Sequence, residues 1–252
     1  MNKLAAIILT YNESDNIMDC IESARFADLI VIFDSFSADD TVEKARSAGA
    51  KVIQHPFENY AAQRNAALAA VQSWANWVLF VDADERVTPE LAKEARQAIE
   101  SPEIVGWRIP RHNYIFGKLT RATGWYPDYQ TRLLKVGAAH YDPERKVHEV
   151  VILAGAEGVL KEHLIHYNYR DVAQFLQKQR KYAAYDAGIL YHQGIHPKLR
   201  NYILQPGRHF WWRFVTLKGY RDGLHGLRLS LLMSWYELRK YTILRKLWQK
   251  SP

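Results

Sequence analysis

The sequence is poor in several things that would have fixed its class at once. Cys20 is the single cysteine in 252 residues. No intrachain disulfide can form, a disulfide-stapled module is excluded, and a reducing compartment is the expectation. No uncharged apolar run approaches the roughly 20 residues needed to span a bilayer. The first apolar stretch, over 4–9, is too short for a signal h-region and is followed by no cleavage pattern, so no leader is expected. No GxGxxG follows it, which argues against a dinucleotide site. The absence of GxxxxGK[ST] argues against a P-loop, and the absence of GxSxG against an α/β-hydrolase. There is no internal repeat or low-complexity segment. At 48% hydrophobic and 24% charged residues the chain is not disordered. Its length allows one large domain or two small ones.

What is present begins with alternation. Apolar runs over 4–9, 29–33, 51–54 and 77–81 read as strands. Amphipathic stretches over 14–27, 41–48, 59–73 and 90–100 read as helices. Strands separated by single helices predict a mostly parallel twisted sheet covered on both faces, in an α/β fold. Ligands of such sheets bind beyond the carboxyl ends of the strands. Polar clusters fall at three of those ends: Thr10-Tyr11-Asn12-Glu13, Asp34-Ser35, and Asp82-Ala83-Asp84-Glu85.

The last cluster has two readings. Carboxylates two residues apart in extended backbone point to the same side. Asp82 and Asp84 therefore suit Mg²⁺ or Mn²⁺ held together with a substrate diphosphate. The alternative is a solvated acidic turn ahead of Pro89.

Taken together, Ile8-Leu9-Thr10-Tyr11-Asn12-Glu13, Ile30-Val31-Ile32-Phe33-Asp34-Ser35, Ala62-Gln63-Arg64-Asn65 and Phe80-Val81-Asp82-Ala83-Asp84-Glu85 resemble the family 2 glycosyltransferases of the GT-A fold. Within that family the chain is similar to the lipopolysaccharide core β-glucosyltransferase group (WaaE/KdtX-like). The resemblance covers about 1–170 well and the rest loosely. It implies that Thr10, Tyr11 and Glu13 line a nucleotide pocket, and that Asp34, with Asp39 close by, holds the uracil or ribose edge. Arg64 and Asn65 would reach the donor diphosphate or its sugar. Asp82 would face the donor sugar or ribose, and Asp84 would be the principal metal ligand. Phe36 departs from the family, where glycine is common. On residue type alone, Asn12 and Asp39 are equally good helix caps.

Inverting sugar transfer needs a carboxylate to take the acceptor proton. In Lys146-Val147-His148-Glu149 the resemblance nominates Glu149; the residue by itself could as well form a surface salt bridge. His163 and His166 lack the partners of a zinc site. His166 fits the position of an extra metal ligand in some GT-A enzymes, and a buried, hydrogen-bonded histidine reads equally well. Trp125 and its neighbours suit a sugar face or an ordinary core strand.

Charge divides the chain. Residues 1–197 carry 22 Lys and Arg against 25 Asp and Glu, whereas 198–252 carry 12 against only Asp222 and Glu237. The expected organisation is a GT-A catalytic domain over 1–170 and a helical, basic, aromatic-rich region over 171–252. Amphipathic helices are expected over 172–187 and 227–248. Cationic helices with Trp and Phe on one side suit a membrane interface, or can pack those rings against the body of the protein.

The resemblance thus implies a metal-dependent, inverting hexosyltransferase. It would use a UDP-sugar, glucose by resemblance, and a lipid-linked saccharide acceptor, on the inner face of the cytoplasmic membrane. A polyprenyl phosphate acceptor is the alternative within the fold. A nucleic-acid-binding protein is the alternative outside it, and would leave Asp82 and Asp84 unexplained.

Overall fold

The computed structural model describes residues 2–143 and 150–250. The chain forms two compact units, one of Met1–Arg111 with Asp128–His166, the other of His112–Pro127 with Tyr167–Pro252. Glu149 and His148 lie outside the described residues.

The first unit alternates as the sequence predicts: β1 (Leu4–Thr10), α1 (Ile17–Ser23), β2 (Leu29–Asp34), α2 (Thr41–Ser47), β3 (Lys51–Gln54), α3 (Tyr60–Val71), β4 (Trp77–Asp82), β5 (Glu85–Val87) and α4 (Pro89–Ala98). Then come β6 (Ile104–Ile115), β7 (Lys118–Leu119), β8 (Tyr129–Lys135), β9 (Ala139–Tyr141), β10 (Val151–Leu153), β11 (Ala156–Val159) and β12 (Leu164–Tyr169). Strands β3, β2, β1 and β4 lie side by side and parallel. Strand β8 joins antiparallel to β4, and β6 antiparallel to β8.

Side chains alternate across a strand, and here each face has its own apolar layer. Leu4, Ala6, Ile8, Trp77, Leu79 and Val81 pack with α1 and α4. Ala5, Ile7, Val78 and Phe80 pack with α3. Burial on both faces is why β1, β2 and β4 read as continuous apolar runs; each fully buried Ile or Leu contributes about 1.5–3 kcal/mol. The helix ends follow from caps. The Asn59 side chain accepts from Ala62 N at 2.9 Å and Thr88 Oγ1 from Leu91 N at 3.1 Å. Helix α1 is shorter than expected because residues before it are drawn elsewhere: Ser14 N donates to Asp39 Oδ2 at 3.1 Å, and Lys44 Nζ to Ser14 Oγ at 2.9 Å.

The second unit is mostly helical: α5 (Val172–His192), α6 (Asn201–Trp211), a π-helical turn (Trp212–Thr216), a short 3-10 turn (Gly219–Asp222) and α7 (Gly223–Lys250). It also holds the end of β6, which forms a hairpin with β7 through Phe116 and Gly117, both at positive φ. Phe175, Ala183, Leu229, Met233 and Tyr236 form its core. Asp171 caps α5, accepting from Gln174 N at 2.8 Å. The Tyr236 hydroxyl donates to the Asp186 carboxylate, joining α7 to α5. Among the described residues no helix is long and apolar enough to cross a membrane.

Candidate active site

Register places the polar clusters together. Thr10 is paired with Asp34 across β1 and β2, and Leu9 with Asp82 across β1 and β4. The ends of three parallel strands therefore share one edge of the sheet.

At β2 the Asp34 carboxylate is fully buried. It accepts from Thr10 Oγ1 at 2.9 Å, Ser37 N at 2.9 Å, Ser37 Oγ at 2.5 Å and Gln54 Nε2 at 3.2 Å. Four donors use the capacity of a carboxylate, so Asp34 ties the loops together instead of presenting a free edge. Asp39 does the same across the gap, accepting from Ser14 N and from Thr41. Burial pushes its carboxyl up, and the hydrogen bonds from Thr41 and Ser14 outweigh this and lower it. Glu13 N donates to Thr41 Oγ1 at 2.8 Å, and Glu13 Oε2 accepts from Asn16 Nδ2 at 2.7 Å. Asn12 and Phe36 both sit at positive φ. Tyr11 and Phe36 stand exposed above this braced platform.

At β4 the ends carry charge. Asp82 Oδ1 accepts from Arg64 Nη2 on α3 and Arg132 Nη1 on β8, each at 3.2 Å, and Oδ2 accepts from Arg132 Nη2. Glu85 is wholly buried; its Oε2 accepts from Asp82 N at 2.9 Å and its Oε1 from Arg111 Nη1 at 3.1 Å. Arg111 Nη2 in turn meets Asp128 Oδ2 at 2.7 Å. Burial by itself would raise the Asp82 carboxyl. The Arg132 and Arg64 guanidinium groups reverse that and hold it far below the usual carboxylate range. Asp84, two residues on, is separate from this clamp and lies 3.5 Å from His166 Nε2 on β12. Asn65 faces β9: its amide donates to Tyr141 O at 2.8 Å and accepts from Tyr141 N at 2.7 Å. It positions α3 and leaves Arg64 as the member of that pair at the charged cluster. An open cavity of about 370 Å³ adjoins the clamp, with Arg64, Arg132, Arg108, Tyr129, Tyr141 and Glu157 on its wall.

Residues 5–148 match the model of Glycosyl transferase family 2. The chain belongs to the family 2 glycosyltransferases. It is 31% identical over 235 residues to the lipopolysaccharide core biosynthesis glycosyltransferase LpsC of Rhizobium meliloti, covering 88% of this chain and 84% of the relative. It is 28% identical over 269 aligned positions to an uncharacterized glycosyltransferase of Rickettsia felis, covering 100% of this chain and 92% of the relative. Among solved structures, a glucosyl-3-phosphoglycerate synthase from Mycobacterium tuberculosis is 20% identical with a TM-score of 0.37, over 44% of each chain. The fold of this glycosyltransferase is the expected GT-A α/β arrangement.

In the glycosyltransferase, Thr10, Asp34, Arg64 and Asp82 gather at one edge. Arg132, Arg111 and Asp128 join them without having been singled out by sequence. Asp128 and Arg132 lie in the polar and aromatic stretch that follows Trp125, and Arg111 lies just after Pro110. Among the described residues no three His, Cys, Asp or Glu side chains converge to cage an ion. The pair Asp84 and His166 nevertheless fits Mg²⁺ or Mn²⁺, which take few protein ligands and complete their shell with water and substrate phosphate. Asp82, expected as a second ligand, accepts from the two arginines.

Proposed function

We propose that this family 2 glycosyltransferase moves a sugar, glucose by resemblance, from a UDP-sugar to a lipopolysaccharide core acceptor at the inner face of the cytoplasmic membrane. The observation that carries the reading is the charged cluster at the end of β4. There Arg64 and Arg132 stand around Asp82, and Asp84 is left to pair with His166. The acceptor class rests on the similarity to LpsC.

The loops bearing Thr10, Tyr11, Glu13, Asp34 and Asp39 form the platform for the nucleotide. Their mutual hydrogen bonds fix its shape before the donor arrives, so little ordering entropy remains to be lost on binding. Arg64 and Arg132 place two guanidinium groups beside the end of β4, where they favour a diphosphate by charge and by bidentate hydrogen bonding. Asp82 fixes their orientation. Asp84 and His166 would hold Mg²⁺ or Mn²⁺; the bound cation supplies neutralisation of the negative charge on the leaving diphosphate.

The acceptor hydroxyl oxygen bonds to the anomeric carbon as the bond from that carbon to the diphosphate oxygen breaks. The electron pair leaves with the UDP, and the configuration inverts. The hydroxyl proton goes to Glu149, the base nominated by resemblance.

The test is transfer of labelled glucose from UDP-glucose to a truncated core lipopolysaccharide. Wild type is expected to give product, and Glu149→Gln to lose about 10²–10⁴-fold in kcat. An undiminished Glu149→Gln enzyme would instead favour an acceptor already ionised, such as a polyprenyl phosphate. Failure of every nucleotide sugar to act as donor would refute the reading.

A further inference from the structure

Helix α6 and the π-helical turn after it keep Phe210 and Phe214 half-buried and leave the rest of their large apolar side chains outside. Helix α6 has no buried residue. The exposed positions 203, 204, 207, 208, 211, 212, 215 and 216 recur with helical spacing and form one stripe. That stripe is apolar: Ile203, Leu204 and Trp211 are 73%, 62% and 64% exposed, with Trp212 and Val215 continuing it. Among its eight residues only Arg208 is charged.

Three polar residues of the same segment, Tyr202, His209 and Arg213, point the other way, into the second unit. Tyr202 donates to Tyr241 O at 3.3 Å, His209 Nδ1 lies 3.2 Å from Glu237 Oε1, and Arg213 donates to His209 Nε2 at 2.7 Å and to Thr123 O at 2.6 Å. A segment that packed all of its large apolar side chains on the protein would leave no such stripe outside. Contiguous apolar surface of this kind marks an interaction site.

We infer that the outward stripe of α6 and its π-helical turn docks this chain on an anionic lipid surface, with Trp211 and Trp212 at the headgroup level. The choice of a membrane rests on the proposed lipid-linked acceptor; the stripe itself does not. Charge selects the occupant. Lys198, Arg200, Arg208, Lys218 and Arg221 are exposed around the stripe, Arg213 being turned inward, and residues 198–221 hold no Asp or Glu. Two copies meeting through this face would bring like charges together, whereas phosphate headgroups complement them. Adjacent Trp residues among basic ones have the composition of a helix lying in a membrane interface.

The experiment is flotation of the full chain with vesicles of phosphatidylcholine containing 30% phosphatidylglycerol, at about 0.1 M salt where charges still act over about 10 Å. Wild type is expected to float with these and much less with pure phosphatidylcholine. Ile203→Glu with Trp211→Glu is expected to reduce partitioning at least about tenfold, since both apolar contacts are lost and negative charge added. Arg200→Gln with Arg208→Gln, which leaves the apolar stripe intact, is expected to reduce it several-fold. Stabilisation by UDP-glucose is measured on every variant and should be unchanged.

No flotation of wild type, or equal flotation of the variants, overturns the inference. So does a wild type that doubles its mass without lipid while the glutamate variant stays monomeric, because the stripe then covers a second copy. Lost donor binding with intact flotation would fail the proposed function and leave the docking surface standing.

Discussion

Arg132 is the side chain on which the charge balance at β4 turns. It is almost fully buried, and it gives Asp82 both ends of its guanidinium group. Arg132→Met takes two donors from the Asp82 carboxylate, which keeps Arg64 and is 31% exposed, and is expected to cost about 1–2 kcal/mol in urea unfolding at pH 7. Adding Asp82→Asn should recover part of that loss. The pH dependence follows from the low Asp82 carboxyl. A group held low in the folded chain stabilises it above the usual carboxylate range, near pH 4, and that contribution fades as the pH falls toward the folded value. Wild type should therefore keep this contribution from pH 8 to pH 5, while Arg132→Met with Asp82 intact should begin losing stability at higher pH. Cys20 offers a simpler check. It is wholly buried, and burial pushes its thiol up, so a thiol reagent at pH 8 should label it at least about 100-fold more slowly in the folded chain than in urea. At this scale the sequence was legible where a residue ends a strand, as with Thr10, Asp34 and Asp82. Arg132 and Arg111 were not, because nothing local says that β8 lies against β4. Nor did residue type show that Asn65 spends both ends of its amide on Tyr141.

Among the elements, the parallel strands were the most readable, since burial on both faces leaves an unbroken apolar run. Helix α6 was the least readable. Pro206 and Gly207 stand in its middle and interrupt the usual signal, and its apolar stripe faces outward. Two glycines set how its continuation meets α7. A Cβ on Gly226 would lie 1.9 Å from the Gly219 carbonyl oxygen, a backbone atom that cannot swing aside. Gly226→Ala should therefore cost at least about 2 kcal/mol, or about 4–8 °C in melting temperature for a chain of this size. Gly188→Ala on α5, where a Cβ meets nothing within 4 Å, is the control and should be neutral or slightly stabilising.

Over the whole molecule, charge and chemistry divide along the chain. The acidic first part carries the strand-end cluster, and the last 55 residues carry a formal excess of ten positive charges. That asymmetry was plain in the sequence; which face the basic part leaves uncovered was not. The central claim is that Asp84 and its surroundings bind a sugar nucleotide together with a divalent cation. The most direct measurement is thermal stabilisation of wild type and Asp84→Asn by UDP-glucose, with Mn²⁺ and with chelator. For wild type at about 100 times Kd, the expected stabilisation is about 2.7 kcal/mol, or roughly 5–10 °C, requiring nucleotide and Mn²⁺ together and absent in Asp84→Asn. Equal stabilisation with chelator, or an Asp84→Asn protein that responds like wild type, would contradict it.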